Sequence, residues 1–286
     1  MLKDNPRGRY GIDQYRPPLN YELAGRTFTF VMDDGIDEHI AFLDGKTLEW
    51  NFEGEEPRRE PYECLKADDT TYLMCFEIEG AEKRTGQTFV IDLQNMLVTR
   101  LTAVNGEDPK DPYVNNSYFT FGAILRPDGT AEARRHSFTD EMVGTCVQWC
   151  YGIYTTVHVY YCTSFYRITF PRDSAASIPG NEQLSSLGAQ MPSSDEPATY
   201  IRIKDNMYFV NITERNMERV LGEKGKFRCN AMCFLQNYDR MYMVGRAFGA
   251  MTEEGKDSRI RLTFGAYGKF AEVPESFFTD PNPFIV

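Results

Sequence analysis

The sequence has few histidines and no motif that binds phosphate or builds a common catalytic centre. Three histidines occur in 286 residues, and no set of His and Cys residues has the spacing of a zinc site. There is no GxxxxGK[ST] phosphate loop, no GxGxxG turn and no GxSxG nucleophile elbow. We therefore expect the protein to use neither a metal nor an organic cofactor.

The chain also lacks a basic stripe and a long apolar run. Its formal net charge is −11, whereas nucleic-acid binders cluster Lys and Arg side chains to replace phosphate counterions. No run reaches the roughly 20 apolar residues of a membrane-spanning helix. The stretch MLKDNPRGRY has no apolar signal-peptide core, and most of the seven cysteines have apolar or aromatic neighbours. We expect a cytoplasmic protein whose partners are neither nucleic acid nor membrane.

Aromatic residues, in contrast, are abundant, at 14% of the chain. Rings and β-branched side chains favour strands, and short segments rich in them alternate with turns such as DDG, LDG and AVNG. No segment has a long helical period. Meandering antiparallel strands of this kind predict a small closed barrel, which has no exposed edges and can hold one small ligand.

An internal repeat divides the chain. Aligning Gly25 with Gly144 matches RTFTFVMDDGIDEHIAFL to TCVQWCYGIYTTVHVYYC without a gap, so that His39 and His158 occupy the same place. Further matches in the same order are DTTY with DNMY, LQN with LQN, and TFGA with TFGA. These matches predict an all-β chain of two tandem antiparallel barrels that arose by duplication.

The repeat also predicts the domain limits. We expect an N-terminal extension (1–19), a first barrel (20–126), a linker (127–138), a second barrel (139–271) and a C-terminal tail (272–286). His136 falls in the linker, where we expect it to be solvated. Residues 171–198 interrupt the second half only and are rich in Ser, Pro, Gly and Ala. They form either a surface excursion or a flap over the mouth of the barrel.

Three stretches, HSFTDEMVGTCVQWCYGIYTTVHVYY, TYIRIKDNMYFVNITER and MVGRAFG, resemble the MoaF family of tandem calycin (lipocalin-like) proteins. The resemblance covers about residues 20–270 and implies two calycin-like barrels. The family name refers to molybdenum cofactor synthesis. The family is also associated with monoamine-induced gene regulation, which implies a link to a small molecule.

A weaker likeness is to phenolic acid decarboxylases, which are single calycin barrels without a cofactor. Their pattern of a glycine, an alternating tyrosine pair and a later strand that ends in Trp-Thr-Glu is similar to Gly144, Trp149 with Tyr151, and residues 212–214. Trp149 replaces one tyrosine, and an isoleucine replaces the tryptophan. No arginine of this chain matches the one that binds the substrate carboxylate. The likeness implies a related lyase in which Glu214 takes the place of the family's glutamate.

The alternation of side chains along a strand singles out Glu214 on its own evidence. Tyr208, Val210, Ile212 and Glu214 share the more apolar face of one strand. A carboxyl group inside an apolar barrel would have a raised pKa that suits a general acid. The alternative is that Glu214 lies in water at the end of the strand. In the first half Glu77 alternates to the other face, so we expect the second barrel to be the active one.

Several other side chains are candidates for the same site. His158 shares a face with Tyr160 and could relay a proton, or it could simply be satisfied by a neighbouring strand. Trp149 and Tyr151 project from one face and could stack on an aromatic ligand, or pack in the core. Three cationic side chains could bind an anionic group of a ligand, or could simply be exposed to solvent. They are Arg202, Lys204 and Arg246.

The sequence therefore predicts a cofactor-independent lyase, decarboxylase or isomerase that acts on a small aromatic or unsaturated molecule in the second barrel. Its catalytic residues would be Glu214, His158, Tyr151 and Tyr160. The substrate would be bound by Trp149, Tyr208, Arg202 and Arg246. The alternatives are a non-catalytic carrier or sensor of an amine or phenol, and a scaffold whose barrels are filled by side chains. A homodimer is compatible with each of these functions.

Overall fold

A computed structural model describes residues 12–110, 114–152, 155–170, 193–216, 231–253 and 256–279. Antiparallel strands make up nearly all of the regular structure in these residues, and a four-residue helix, α1 (Ser276–Thr279), follows the last strand. Within the same residues, no helix has the length and apolar character that crossing a membrane requires.

The first eight strands form a closed barrel in which each strand pairs with the next and β8 pairs with β1. They are β1 (Thr27–Met32), β2 (Glu38–Phe42), β3 (Thr47–Phe52), β4 (Arg58–Lys66), β5 (Thr71–Glu77), β6 (Arg84–Asp92), β7 (Leu97–Asn105) and β8 (Asn115–Ile124). Rings from strands that are not neighbours meet inside it. Phe30 lies 5.7 Å from Phe89, and Trp50 lies 5.3 Å from Phe76, between ring centroids. The interior of the first barrel is therefore an apolar core.

A second closed barrel follows, and it confirms the predicted all-β fold of two tandem barrels. Its strands are β10 (Thr145–Cys150), β11 (Thr155–Tyr160), β12 (Phe165–Thr169), β13 (Ser194–Lys204), β14 (Met207–Thr213), β15 (Ala231–Asn237), β16 (Tyr242–Glu253) and β17 (Lys256–Phe270). The barrel closes where β10 pairs with β17 and β12 pairs with β13. The two-residue strand β9 (Ser137–Phe138) pairs with β13.

Two compact units can be distinguished. One contains residues 17–137 together with 201–209, and the other contains residues 12–16 and the described parts of 138–200 and 210–279. The segment that was predicted to be an excursion or a flap lies mostly outside the described residues, which resume at residue 193. Its last residues, from Ser194 onward, belong to β13.

The two halves of the repeat begin in the same way but differ in register at the first hairpin. Gly25 and Gly144 both have positive φ, at 78° and 92°, a conformation that glycine adopts without steric cost. The Gly25 N–H donates to the Phe42 carbonyl, and the Gly144 N–H donates to the Tyr160 carbonyl, each at 2.7 Å. The second hairpin is therefore one residue shorter (160 − 144 against 42 − 25).

The ungapped alignment predicted that His39 and His158 occupy equivalent places. This shift in register shows that they do not. Phe28 pairs with Ile40 in the first barrel, whereas the matching residue Val147 pairs with His158 in the second. A shift of one residue turns a strand's side chains to the opposite face. His39 accordingly lies on the outer face of the first barrel, with Nδ1 3.0 Å from the Thr29 hydroxyl.

His136 is buried, so the prediction that it is solvated was wrong. Its side chain packs against the first barrel, where Nδ1 lies 2.8 Å from the Thr99 hydroxyl. Burial lowers the pKa of His136, and the carboxylate of Asp92 opposes that change. The residues around the linker thus contribute to the compact unit of the first barrel.

Candidate functional site

The interior of the second barrel carries polar groups that reach across it. Tyr160 on β11 is hydrogen-bonded to Gln236 on β15, and the rings of His158 and Phe234 are 5.9 Å apart. Strands β11 and β15 are separated by β10, β17 and β16 in the sheet. These contacts therefore cross the interior, and they show that the row of His158 and Tyr160 faces inward.

Five of these inward side chains form one chain of hydrogen bonds. Gln236 Nε2 donates to the Tyr160 oxygen at 2.6 Å, and that oxygen lies 3.2 Å from His158 Nδ1. His158 Nε2 lies 3.0 Å from the Thr156 hydroxyl. Thr156 in turn is hydrogen-bonded to the phenol of Tyr151. The chain thus runs between the ends of β15 and β10 through three side chains of β11.

The donors in this chain point towards Tyr151. The Gln236 amide nitrogen can only donate, and the Tyr160 hydroxyl can then donate its own proton to His158 Nδ1. A neutral imidazole that accepts at Nδ1 carries its proton on Nε2, and it donates this proton to Thr156. The Thr156 hydroxyl in turn donates a hydrogen bond to the Tyr151 oxygen. The Tyr151 hydroxyl is therefore the last donor of the chain.

His158 is neutral at physiological pH. Its side chain is 1% exposed, and burial lowers its pKa to about 3 because the imidazolium would lose its hydration. The rings of Tyr166 and Phe234 surround it at 5.1 and 5.9 Å. His158 therefore orders its neighbours by donating one hydrogen bond and accepting another, and it does not store a proton.

Glu214 lies directly after β14 and is buried, with 9% of its surface exposed. Burial raises the pKa of Tyr151, and the charge of Glu214 raises it further. Burial is also the main reason that the pKa of Tyr166 is raised, and Glu214 again adds to it. The fold thus brings Glu214 within electrostatic reach of two phenols of the interior.

A second acidic side chain, Glu196, faces Tyr166 across the β12–β13 pair. It is fully buried, and its two carboxylate oxygens accept hydrogen bonds from the Ser194 hydroxyl and, at 2.9 Å, from the Asn216 N–H. These donors hold the Glu196 side chain in place. The site therefore contains two buried carboxyl groups, Glu214 and Glu196.

Among the described residues, no three His, Cys, Asp or Glu side chains come together as metal ligands would.

Three polar atoms of the interior have no hydrogen-bond partner within the described part of the chain. They are the hydroxyl of Tyr166, the indole Nε1 of Trp149 and Oε1 of Gln236. Trp149 and Tyr166 have no measurable exposure. The Trp149 ring lies directly on the backbone of Gly268, where an added Cβ would be 2.5 Å from it. A buried donor without a partner is costly, so these atoms indicate where a bound molecule would complete the site.

Three predicted ligand-binding residues are not part of this cluster. Arg246 is buried, but it pairs with Cys233 and Thr263 on the outward row of β16, where its guanidinium lies 5.0 Å from the Phe248 ring. Arg202 is exposed and forms an ion pair with Asp205 at 2.6 Å. Tyr208 lies near the start of β14, whereas Glu214 follows the end of that strand. Tyr208 also falls in the range 201–209, within the compact unit of the first barrel.

The first barrel has one buried polar cluster among its apolar rings. Arg100 donates to Glu38 at 2.9 Å and to Asp34 at 2.7 Å. Burial raises the pKa of Glu38 to about 7, against the attraction of Arg100. Glu77 lies on the outer face, where it forms an ion pair with Arg84 at 2.9 Å. The first barrel thus has no row of phenol, imidazole and carboxyl groups comparable to that of the second among its described residues.

Sequence reasoning missed four residues of the site: Thr156, Tyr166, Glu196 and Gln236. Tyr166 could have been found, because the segment FYRIT alternates and places Tyr166 and Ile168 on one face. Glu196 lies in a segment whose composition resembles a loop. Gln236 and Thr156 carry no signal in the sequence, since their role depends on which strands face each other across the barrel.

Comparisons with known proteins bear on the N-terminal part of the chain. No curated protein matches the sequence. Residues 9–107 match the family of the MoaF N-terminal domain, and this range covers β1 to β7 of the first barrel. The match agrees with the resemblance that the sequence suggested, and residues 9–107 are therefore similar to the MoaF N-terminal domain.

Proposed function

We propose that the second barrel catalyses proton transfer on a small aromatic or unsaturated molecule, as a lyase, decarboxylase or isomerase that needs no cofactor. The observation that carries this proposal is the position of Glu214, which is buried within electrostatic reach of Tyr151, the last donor of a hydrogen-bonded chain. Glu214 would give or take the proton. Tyr151 and the indole N–H of Trp149 would donate to oxygen atoms of the substrate.

The surroundings of Glu214 favour such a role. A buried carboxyl group can exchange a proton directly with a bound molecule, without water between them. Hydrogen-bond donors that are already aligned stabilise charge without reorganisation when it develops on a substrate oxygen. Gln236, Tyr160, His158 and Thr156 supply that alignment, because each donates to the next and the last donates to Tyr151.

His158 has a positioning role in this proposal. With a pKa of about 3, it cannot serve as an acid that is protonated at pH 7. It connects Tyr160 to Thr156 and thereby fixes the direction in which the Tyr151 hydroxyl donates. Tyr160 acts in the same way, through its hydrogen bonds to His158 and Gln236.

The test uses Glu214→Gln, which keeps the shape of the side chain and removes its acid-base chemistry. Hydroxycinnamates, aryl ketones and aryl amines are screened for binding by thermal shift. Turnover is followed as CO₂ release or as deuterium incorporation from D₂O. We expect Glu214→Gln to lower turnover at least a hundredfold, the usual contribution of a general acid or base, without loss of binding. The matched control is Glu77→Gln on the outer face of the first barrel, which should leave turnover unchanged. Full turnover by Glu214→Gln would refute the role of Glu214.

The second candidate is a non-catalytic binding protein for a small amine or phenol. It is favoured by the many rings of the interior, such as the pair Tyr160 and Tyr166 at 6.0 Å, which suit an aromatic ligand. This function needs the interior but not the acidity of Glu214. A ligand that raises the melting temperature and is never converted would support it against the enzyme.

A further inference from the structure

The three unpartnered atoms in the second barrel restrict the chemistry of its ligand. Tyr166 O–H and Trp149 Nε1–H are donors, so they require acceptor atoms, and Gln236 Oε1 requires a donor. Each of these atoms belongs to a fully buried side chain. An ammonium group offers only donors and would leave both Tyr166 and Trp149 unsatisfied. The ligand must therefore carry at least one acceptor oxygen or nitrogen.

The charges around the interior restrict the ligand further. Glu196 and Glu214 are both buried there, and His158 is neutral. The buried arginines of the second barrel's described strands lie on outward rows. Arg167 pairs with Asp195 at 2.8 Å, and Arg246 lies opposite Thr263. A ligand carboxylate would lose its hydration without meeting a counter-charge, which is costly in a buried site.

We propose, on the basis of the proton-transfer function above, that the substrate is an uncharged aromatic carbonyl compound with an acidic C–H bond next to the carbonyl group and a hydroxyl group that donates to Gln236 Oε1. Its carbonyl oxygen accepts hydrogen bonds from Tyr166 and Trp149. Among the reactions left open above, this substrate class selects isomerisation, because decarboxylation would need an anionic substrate.

The proton transfer balances without a further reactant. The C–H bond next to the carbonyl breaks, and its proton goes to the Glu214 carboxylate. The electron pair forms a C=C bond, while the C=O π pair moves onto oxygen. The negative charge thus passes from Glu214 to the enolate oxygen, where the Tyr166 and Trp149 donors stabilise it. The proton then returns from Glu214 to the same carbon or to a conjugated one.

The experiment compares three probes of similar size: acetophenone, which is uncharged, benzoate, which is anionic, and 2-phenylethylammonium, which is cationic. Dissociation constants are measured by calorimetry on the full chain. We expect acetophenone to bind at least tenfold more tightly than either ion. Tighter binding of benzoate or of the ammonium ion would overturn the proposal.

Two variants test which side chains donate hydrogen bonds to the carbonyl oxygen of acetophenone. Tyr166→Phe and Trp149→Phe should each weaken acetophenone binding about tenfold, the upper range for one lost hydrogen bond. The control Trp50→Phe, in the first barrel, should have no effect. Tyr166→Phe should not lower the midpoint of urea unfolding, because it removes a hydroxyl that has no hydrogen-bond partner in the described part of the chain. A structural role for that hydroxyl would give the opposite result, with a lower midpoint and unchanged affinity.

A second measurement does not depend on the variants. The ¹³C signal of carbonyl-labelled acetophenone should move downfield on binding to the unaltered protein, since hydrogen bonds polarise the carbonyl group. No shift in the bound state would refute the proposal. Acetophenone that binds through Tyr166 but never exchanges its methyl protons would support the uncharged carbonyl compound as the ligand and refute the catalytic function. Conversion of a carboxylate substrate through Glu214 would support the catalytic function and refute the proposal of an uncharged substrate.

Discussion

The pH dependence of stability tests whether the interior around His158 is as dry as its burial indicates. Because burial lowers the pKa of His158 from 6.5 to about 3, the unfolded chain takes up a proton that the folded chain does not. The contribution of the neutral imidazole to stability is fully present above pH 6.5 and is lost as the pH falls towards 3. At 1.36 kcal/mol per pKa unit, the whole loss is about 5 kcal/mol, and about 2 kcal/mol of it falls above pH 5.

The assay uses the distribution of the two tryptophans, one in each barrel. In a Trp50→Phe background, the fluorescence of Trp149 reports the unfolding of the second barrel. Urea unfolding is measured between pH 7 and pH 5 for this parent and for its His158→Gln variant. Many carboxyl groups also titrate over this range, but their contributions cancel when the two proteins are compared.

We expect the free energy of unfolding of the parent, relative to that of His158→Gln, to fall by about 2 kcal/mol between pH 7 and pH 5. The Cε1 proton of His158 should keep its chemical shift over the same range in the folded protein. A relative stability that stays constant, or a chemical shift that titrates near pH 6.5, would show that water reaches His158. The hydrogen-bonded chain would then not be the rigid element that the proposed mechanism requires.

Two further predictions concern charged groups outside the site. Because burial raises the pKa of Glu38 to about 7, the first barrel should lose about 3 kcal/mol relative to Glu38→Gln between pH 4.5 and pH 8; Trp50 fluorescence in a Trp149→Phe background measures this, and a flat difference would contradict it. Arg167→Met breaks the buried ion pair with Asp195 and should cost about 3–5 kcal/mol. Arg202→Met breaks the exposed ion pair with Asp205 and should lower the free energy of unfolding by less than about 1 kcal/mol. Equal losses for the two variants in urea unfolding would refute the distinction between the buried and the exposed ion pair.

The sequence was a good guide to the strands because their alternation and turns are local. The segments TFTFVM and MYFVNIT coincide with β1 and β14. The strand TLEWNF, β3, has the same alternation, whereas the charges and the proline (Pro61) of β4 hide it in the sequence. The repeat glycines, Gly25 and Gly144, marked the start of each barrel because both need positive φ.

The site was predictable only in part, since it depends on register and on contacts across the barrel. One residue fewer in the hairpin before β11 turns His158 inward, although its sequence counterpart His39 faces outward. No local pattern reports such a shift. Arg246 was expected near a ligand, but its strand pairing places it on the outward row. The residues Gln236 and Glu196 became visible only once distant strands were brought together.

The two indole N–H signals in a ¹H–¹⁵N spectrum test most directly whether the polar interior of the second barrel is the functional one. The indole nitrogens of Trp149 and Trp50 each have no hydrogen-bond partner among the described residues, and Trp50→Phe assigns the signals. On addition of acetophenone, we predict that the Trp149 indole proton moves downfield as it gains an acceptor, while the Trp50 signal stays in place. A shift of Trp50 alone, or of neither signal with any hydroxycinnamate, aryl ketone or aryl amine, would contradict the account.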